Sequence, residues 1–318
     1  MASRLPRLKF FSGRSNLPLA KKVIDANGIK GSKINFFDFK NKEIKVKIED
    51  SVRGEDVFIL QTTAPDHPHK WMMELFIMAH TAKRASARRI TAVMPYIYGS
   101  RQDRKTEPRS PITIQLMGHL LAAAGVNRLI TVELHNFASV AAFGDIVVDV
   151  ITSSKLFYPH IQHLFTNDTV VMSPDAGGVP RAKHYANRFN TELGFCYKAR
   201  EGEGQAKVLS FNADVSGKNV VIIDDIIDSA GTLCTVVEAA KDEGAKNIYV
   251  VATHAILSGD ALKNIANSSI DKVYISDSIS HYSLPDIFEV ISLGPLLAKT
   301  IKAVSADESV GDLFEKDK

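Results

Sequence analysis

The chain has 318 residues, 45% of them hydrophobic and 24% charged, enough for more than one buried core and ordinary for a globular protein. A net charge of +3 is too small to make nucleic acid the main partner, although it suits an anionic metabolite where positive charge is concentrated locally. Cys196 and Cys234 form no disulfide framework, no apolar run reaches the length of a membrane span, and residues 1–12 lack the apolar core of a signal peptide, so the expectation is a soluble cytoplasmic protein acting on small molecules.

In chain order, short β-rich runs alternate with helical stretches. "DVFILQT" (56–62) predicts a strand, "KWMMELFIMAHTAKRAS" (70–86) a helix and "RITAVMPY" (89–96) a second strand. "ITIQLMGHLLAAAG" (112–125) reads as a helix closed by Gly125, and "RLITVELH" (128–135) as a strand ending at His135. The second half repeats the pattern, with strands at "TVVMSP" (169–174), "NVVIIDD" (219–225), "NIYVVATH" (247–254) and "KVYISDS" (272–278), and a helix over 230–245 ended by Gly244. Strands that are apolar throughout, alternating with helices, predict parallel sheets covered on both faces, an α/β fold. "ASARRITAVMPY" and "GAKNIYVVATH" look like two copies of one unit, which places two related domains at 1–152 and 153–303, with a soft break near 150–155. The polar stretch 304–318 either returns to the first domain or frays.

The chemistry concentrates at "VVIIDDIIDSAGTL" (220–233). Ligands of open α/β sheets sit beyond the carboxyl ends of the strands, and Asp224 and Asp225 fall at such an end. Paired carboxylates accept hydrogen bonds from vicinal sugar hydroxyls and also suit a hard cation. Asp228, Ser229, Ala230, Gly231 and Thr232 then place small residues and backbone N–H groups where a helix begins, a nest for a phosphate dianion. A strand followed by a helix capped by Asp228 or Ser229 would use the same loop, but a cap has no use for two further acids.

"VVIIDDIIDSAGT" resembles the phosphoribosyl pyrophosphate (PRPP) motif of the phosphoribosyltransferase fold. "SVRGEDVFILQT" (51–62), "KRASARRITAVMPY" (83–96), "SRQDRK" (100–105), "SPDAGG" (173–178) and "THAILSG" (253–259) extend the likeness over nearly the whole chain, which resembles the ribose-phosphate pyrophosphokinases. The resemblance implies two tandem phosphoribosyltransferase-like domains, each a mainly parallel sheet flanked by helices. It implies Mg²⁺-dependent transfer of a pyrophosphoryl group from ATP to the 1-hydroxyl of ribose 5-phosphate, with AMP released. It further implies a homo-oligomer, a hexamer built from dimers.

Residue by residue, the resemblance implies that Phe39, Asn41 and Glu43 of "FKNKE" bind the adenine of a neighbouring subunit's ATP. By their residues alone these would be an exposed hairpin. It implies ATP contacts for Arg101, Gln102 and His135, magnesium contacts for His135 and Asp175, and backbone approach to phosphate at Gly177 and Gly178. Lys198 and Arg200 correspond to the pair on the family's mobile catalytic loop, and "EGEGQAK" after them suits a closing lid. Asp224 and Asp225 would hold the ribose hydroxyls, and residues 228–232 the 5-phosphate.

Two other readings share parts of the pattern: a phosphoribosyltransferase that consumes PRPP, and a non-catalytic regulatory subunit of a synthetase complex. "FKNKE" and "SRQDRK" would have no task in the first, and the intact Lys198, Arg200, Asp224 and Asp225 count against the second. Departures from the family lie in "NFASVAAFGD" (136–145), in Glu133 where an aspartate is usual, and in Gly311 of "ESVGDLF", which keeps Ser309, Val310 and Phe314. Ser51, Arg53 and Arg109 stand at positions resembling the phosphate-activated, ADP-inhibited regulatory site, and with part of that pocket changed the expectation is altered or absent allosteric control.

Overall fold

The first half of the chain builds a five-stranded, wholly parallel sheet. The computed structural model describes residues 7–200 and 206–311, and describes only the backbone at residues 27, 197–200 and 206–210. Strand β1 (Leu8–Ser12) leads into helix α1 (Leu17–Asn27), a hairpin of β2 (Ile34–Asp38) and β3 (Ile44–Ile48), and then β4 (Asp56–Leu60). Helix α2 (Pro68–Arg84), β5 (Arg89–Met94), α3 (Thr113–Ala124), β6 (Arg128–Val132) and β7 (Val147–Ile151) follow, giving the sheet order β1-β4-β5-β6-β7. Every residue of β4 is buried, which is why its sequence is an unbroken apolar run after Asp56. On α2, Met72, Leu75, Met78, Ala79 and Ala82 recur at helical spacing and bury one stripe against the sheet. Each fully buried side chain of the size of Leu75 contributes about 1.5–3 kcal/mol by leaving water.

The second half builds a seven-stranded sheet. Its elements are α4 (Ser154–Ile161), β8 (Thr169–Ser173), α5 (Val179–Phe189), β9 (Glu192–Arg200), β10 (Ala206–Phe211), β11 (Asn219–Ile227), α6 (Gly231–Asp242), β12 (Asn247–Ala255), α7 (Ala261–Ala266), β13 (Lys272–Ser276) and β14 (Phe288–Ile291). The order is β10-β9-β8-β11-β12-β13-β14, parallel throughout except for the antiparallel β9–β10 pair. After β8 the chain moves one way along the sheet to β9 and β10, and from β11 it moves the other way. The order therefore reverses between β8 and β11, the place where such sheets open a crevice.

The chain divides into two compact units. One runs up to Ile151 and includes Ser278–Ser280 and the stretch from Ser292; the other holds Thr152–Asp277 and His281–Ile291. Helix α8 (Gly294–Ser305) thus belongs to the first unit, whereas the sequence reading kept residues up to 303 in the second. The reason is packing: α8 buries Leu297, Ala298, Ile301 and Val304 and lies so close to α1 that a Cβ on Gly294 would stand 2.7 Å from Lys22 Cβ. Beyond it, Arg89 Nη1 pairs with Asp307 Oδ1 at 2.9 Å and Arg89 Nη2 donates to the Val304 carbonyl at 3.0 Å.

Two predicted strand ends move. β6 stops at Val132 because Glu133 adopts the left-handed region (φ +46°), so His135 lies beyond the strand rather than ending it. β11 runs on to Ile227, past Asp224 and Asp225. Gly125 (φ +107°) and Gly244 (φ +90°) close α3 and α6 in the left-handed conformation that favours glycine. No helix among the described residues is long and apolar enough to cross a membrane.

Candidate active site

In the second unit the paired acids stand at the switch point. β11 pairs with β8 only through Ile222↔Met172, while on its other side it stays paired with β12 through Asp224↔Ala252 and on to Ile227↔Ala255. Asp224 and Asp225 therefore sit where β8 has ended and the sheet opens. Asp225 is nearly closed to solvent and Asp224 partly open, with side-chain exposures of 4% and 27%. Arg181, in the first turn of α5, reaches both: its Nη1 lies 3.3 Å from Asp225 Oδ1 and 3.9 Å from Asp224 Oδ1. The backbone N–H of Asp225 donates to Asp224 Oδ1 at 2.8 Å. Burial, and then the neighbouring Asp225 carboxylate, push the Asp224 carboxyl up to about 8, and Arg181 only partly offsets them.

The loop after β11 is not a capped helix start. Ala230, not Asp228 or Ser229, occupies the N-cap position of α6, and no side chain caps the helix. The first N–H groups of a helix have no intrahelical partner, so those opening α6 remain available to an anion. Ala230 is held at φ +60° and is buried. Neighbours fix the loop: Ser258 Oγ donates to Asp228 Oδ1, Ser258 N–H donates to the Asp228 carbonyl at 3.1 Å, and Asn264 Nδ2 donates to the Ser229 carbonyl at 3.0 Å. Asp228 thus has a partner within the loop's own scaffold, and Ser229 is exposed.

Asp175 follows β8 and is exposed, with its Oδ1 accepting the Gly178 N–H at 2.9 Å. Ser173 Oγ donates to the Asp175 carbonyl at 2.6 Å, and a Cβ on Gly178 would lie 2.6 Å from that same Oγ. The glycine is required for this tight turn, which brings Asp175 and the start of α5 to the carboxyl end of β8.

In the first unit, Phe39, Asn41 and Glu43 occupy the exposed turn of the β2–β3 hairpin. The turn is closed by Phe39 N–H to the Glu43 carbonyl and Lys42 N–H to the Phe39 carbonyl, both 2.9 Å, and Asn41 Oδ1 accepts the Glu43 N–H at 3.2 Å. Arg101 and Gln102 are exposed in the loop before α3, where Thr113 Oγ1 donates to Gln102 Oε1 at 2.5 Å. Asn136 Nδ2 donates to Asp103 Oδ2 at 2.7 Å, which ties this loop to the residue after the exposed His135. Ser51, Arg53 and Arg109 are exposed in the same unit, Arg109 at φ +66°.

Lys198 and Arg200 lie on β9, their backbones paired with Val208 and Ala206. Their side chains, residues 201–205 of the lid sequence "EGEGQAK" and Phe314 lie outside the described residues, while the backbones of Ala206 and Lys207 pair in β10. The side chain at the acid pair that the sequence does not reveal is Arg181, a base in the first turn of the helix that follows the glycine turn of "SPDAGG".

A parallel sheet with paired acids at its switch point, followed by an uncapped helix start of small residues, defines a phosphoribosyltransferase-like fold. Residues 145–283 match the family model of the phosphoribosyl transferase domain, and residues 8–125 match that of the N-terminal domain of ribose phosphate pyrophosphokinase. The chain belongs to the ribose-phosphate pyrophosphokinase family. It is 42% identical over 311 residues to the ribose-phosphate pyrophosphokinase of Thermosipho africanus, covering 97% of this chain and 98% of that one. With the Brucella melitensis enzyme of the same name it shares 40% identity over 314 residues, 97% of this chain and all of the other. Among solved structures it is similar to phosphoribosylpyrophosphate synthetase from Mycobacterium smegmatis, at 34% identity and a TM-score of 0.87 over 95% of this chain and 99% of that one.

Proposed function

We propose that the protein makes PRPP and AMP from ATP and ribose 5-phosphate. The observation that carries this reading is the Asp224–Asp225 pair held by Arg181 beside the uncapped loop Ala230–Thr232, in a chain related to ribose-phosphate pyrophosphokinases over its full length. Asp224 and Asp225 accept hydrogen bonds from the ribose hydroxyls, and Asp228, Ser229, Ala230, Gly231 and Thr232 surround the 5-phosphate with backbone N–H groups. Arg101, Gln102 and His135 contact ATP, while Phe39, Asn41 and Glu43 receive the adenine of a neighbouring subunit in a homo-oligomer built from dimers.

The 1-hydroxyl attacks the β-phosphorus in line. The new bond joins the sugar oxygen to that phosphorus, the bridge to the α-phosphate breaks as AMP leaves, and the proton of the 1-hydroxyl passes to solvent. Positioning and charge neutralisation dominate such transfers, and Lys198 and Arg200 supply cationic charge for the transferring group.

Magnesium takes oxygen donors, keeps several waters, and is held by one or two carboxylates together with substrate phosphates. Among the described residues no group of three or more His, Cys, Asp and Glu gathers to hold a metal by itself, which fits an ion shared with the nucleotide. Asp175, exposed after β8, would contribute a carboxylate oxygen; His135, exposed after β6, would act through water. When bound, the ion supplies positive charge against the phosphate oxygens.

Two free cysteines accord with a reducing cytoplasm. The reading is tested by AMP release that depends on ATP, Mg²⁺ and ribose 5-phosphate together. A folded protein that binds both substrates and releases no AMP would overturn it.

A further inference from the structure

Glu74 lies on the inner face of α2 with no solvent exposure, and a buried carboxylate is stable only when paired and hydrogen-bonded. Arg14, in the turn after β1, supplies the pairing: its Nε donates to Glu74 Oε2 at 2.7 Å and its backbone N–H to Oε1 at 2.8 Å. Gln61 Nε2 adds a third bond, to Oε1 at 3.0 Å. The outer edge of the same guanidinium faces the hairpin. Arg14 Nη1 donates to Asp38 Oδ2 at 2.7 Å and Nη2 to Asp38 Oδ1 at 2.9 Å, a two-pronged pair, while the cation centre stands 4.8 Å from the Phe36 ring. One planar fork therefore joins a carboxylate in the core to a carboxylate at the end of β2. A lysine could not satisfy both edges.

Asp38 is the residue before Phe39. The hairpin is a lone two-stranded ribbon, and such ribbons are marginal unless something holds them. Its strands are held as far as the Asp38–Ile44 pair by Ile34, Phe36, Ile44 and Ile48, which pack on the apolar core of this unit. Past Asp38 the turn has its own local bonds, so the orientation of residues 39–43 is set by how Asp38 is fixed. The Arg14 hydrogen bond holds the Asp38 carboxyl below its ordinary range, so this tie is fully charged at neutral pH.

We propose that Arg14 is a positioning residue for the nucleotide: anchored on buried Glu74, it clamps Asp38 and so sets the pose of the turn carrying Phe39, Asn41 and Glu43. This rests on the reading that the turn supplies the contacts to the base. Arg14→Ala would leave Glu74 buried without its cation and is prone to misfold, so the variant of choice is Asp38→Ala, which keeps the buried pair and removes the clamp, together with the longer 3.9 Å contact of Lys70 Nζ to Asp38 Oδ2.

Hydrogen exchange and steady-state kinetics of the full chain are measured for the wild type, Asp38→Ala, Asp38→Glu and Phe39→Ala. In Asp38→Ala the amides of residues 36–43 should exchange faster while α2 and β4 keep their protection. The KM for ATP should rise about fivefold, with kcat and the KM for ribose 5-phosphate within about twofold, and Asp38→Glu should recover most of the loss. Unchanged exchange in the turn overturns the clamp. Faster exchange with an unchanged KM for ATP, where Phe39→Ala does raise it, overturns the positioning role alone. If neither Phe39→Ala nor Asp38→Ala moves that KM, the base-contact reading of the turn fails and this inference falls with it.

Discussion

Arg181 Nη1 stands 3.3 Å from Asp225 Oδ1, so the more deeply buried acid of the pair is the one closest to a cation. The two adjacent carboxylates differ in setting: Asp225 is nearly closed and pairs with Arg181 of α5, while Asp224 keeps 27% of its side chain open.

Removing Arg181 should therefore be felt in folding as well as in binding. Arg181→Gln leaves the Asp225 carboxylate buried without its cation, and breaking a buried pair from one side costs about 3 kcal/mol. Urea melts should show a loss of that order, and the KM for ribose 5-phosphate should rise. A loss below about 0.5 kcal/mol, the range of an ordinary surface substitution, would contradict this account.

The raised Asp224 carboxyl sets the sign of a pH effect. An acid whose pKa is raised in the folded state holds its proton more tightly there than in the unfolded chain. Between the ordinary aspartate value of 3.8 and about 8, the folded state thus binds more protons, and stability declines as pH rises through that window. Denaturation midpoints across pH 4–9 should fall less steeply with pH in Asp224→Asn than in the wild type. Parallel slopes would show that the carboxyl titrates in its ordinary range.

Ala230 carries the left-handed turn into α6 at φ +60°, which costs a residue with a Cβ about 1 kcal/mol. Ala230→Gly should change stability by less than about 1 kcal/mol, since relief of strain is offset by a freer unfolded chain. Ala230→Val should cost about 2 kcal/mol or more and weaken ribose 5-phosphate binding, because a β-branched residue fits neither the φ angle nor the buried site. Thermal melts of the two variants check this, and similar losses in both would contradict it.

Lys198→Ala should lower kcat by about 100-fold while the KM for ribose 5-phosphate moves by no more than about twofold. Steady-state kinetics with each substrate varied separates the two effects. Equal losses in both would remove Lys198 from a role confined to the transition state.

Altered control is the fifth expectation. The expectation rests on the resemblance, which places Ser51, Arg53 and Arg109 at a regulatory site and marks Gly311 and the stretch 136–145 as departures from it. Phosphate should activate weakly, and ADP should inhibit mainly in competition with ATP. Strong non-competitive inhibition by ADP in a titration of the rate would contradict this.

Much of the architecture is legible in the sequence because the central strands β4, β5, β8, β11 and β12 are buried on both faces and must be continuous apolar runs. The edge strands are not so constrained. β7 and β14 are buried at only two positions each, so their sequences pass for loops. By their place in the chain residues up to 303 go with the second domain, whereas the unit of α8 is decided by long-range packing on α1, which leaves no local signature. At the site, the Asp224–Asp225 doublet was readable because two adjacent acids at the end of an apolar strand need a reason. Arg181 was not, since an arginine in a first helical turn looks like any solvated base until its neighbours across the sheet are known. Arg14 is hidden for the same reason: its partners Asp38 and Glu74 lie 24 and 60 residues away.

The most direct test of the central claim is the fate of the nucleotide. Purified protein is incubated with ATP, Mg²⁺ and ribose 5-phosphate, and the products are followed by phosphorus NMR. The account predicts AMP and a ribose bearing a 1-diphosphate and a 5-phosphate in equal amounts, with neither formed when any one component is omitted. Release of ADP in place of AMP, or no turnover by folded protein that binds both substrates, would contradict it.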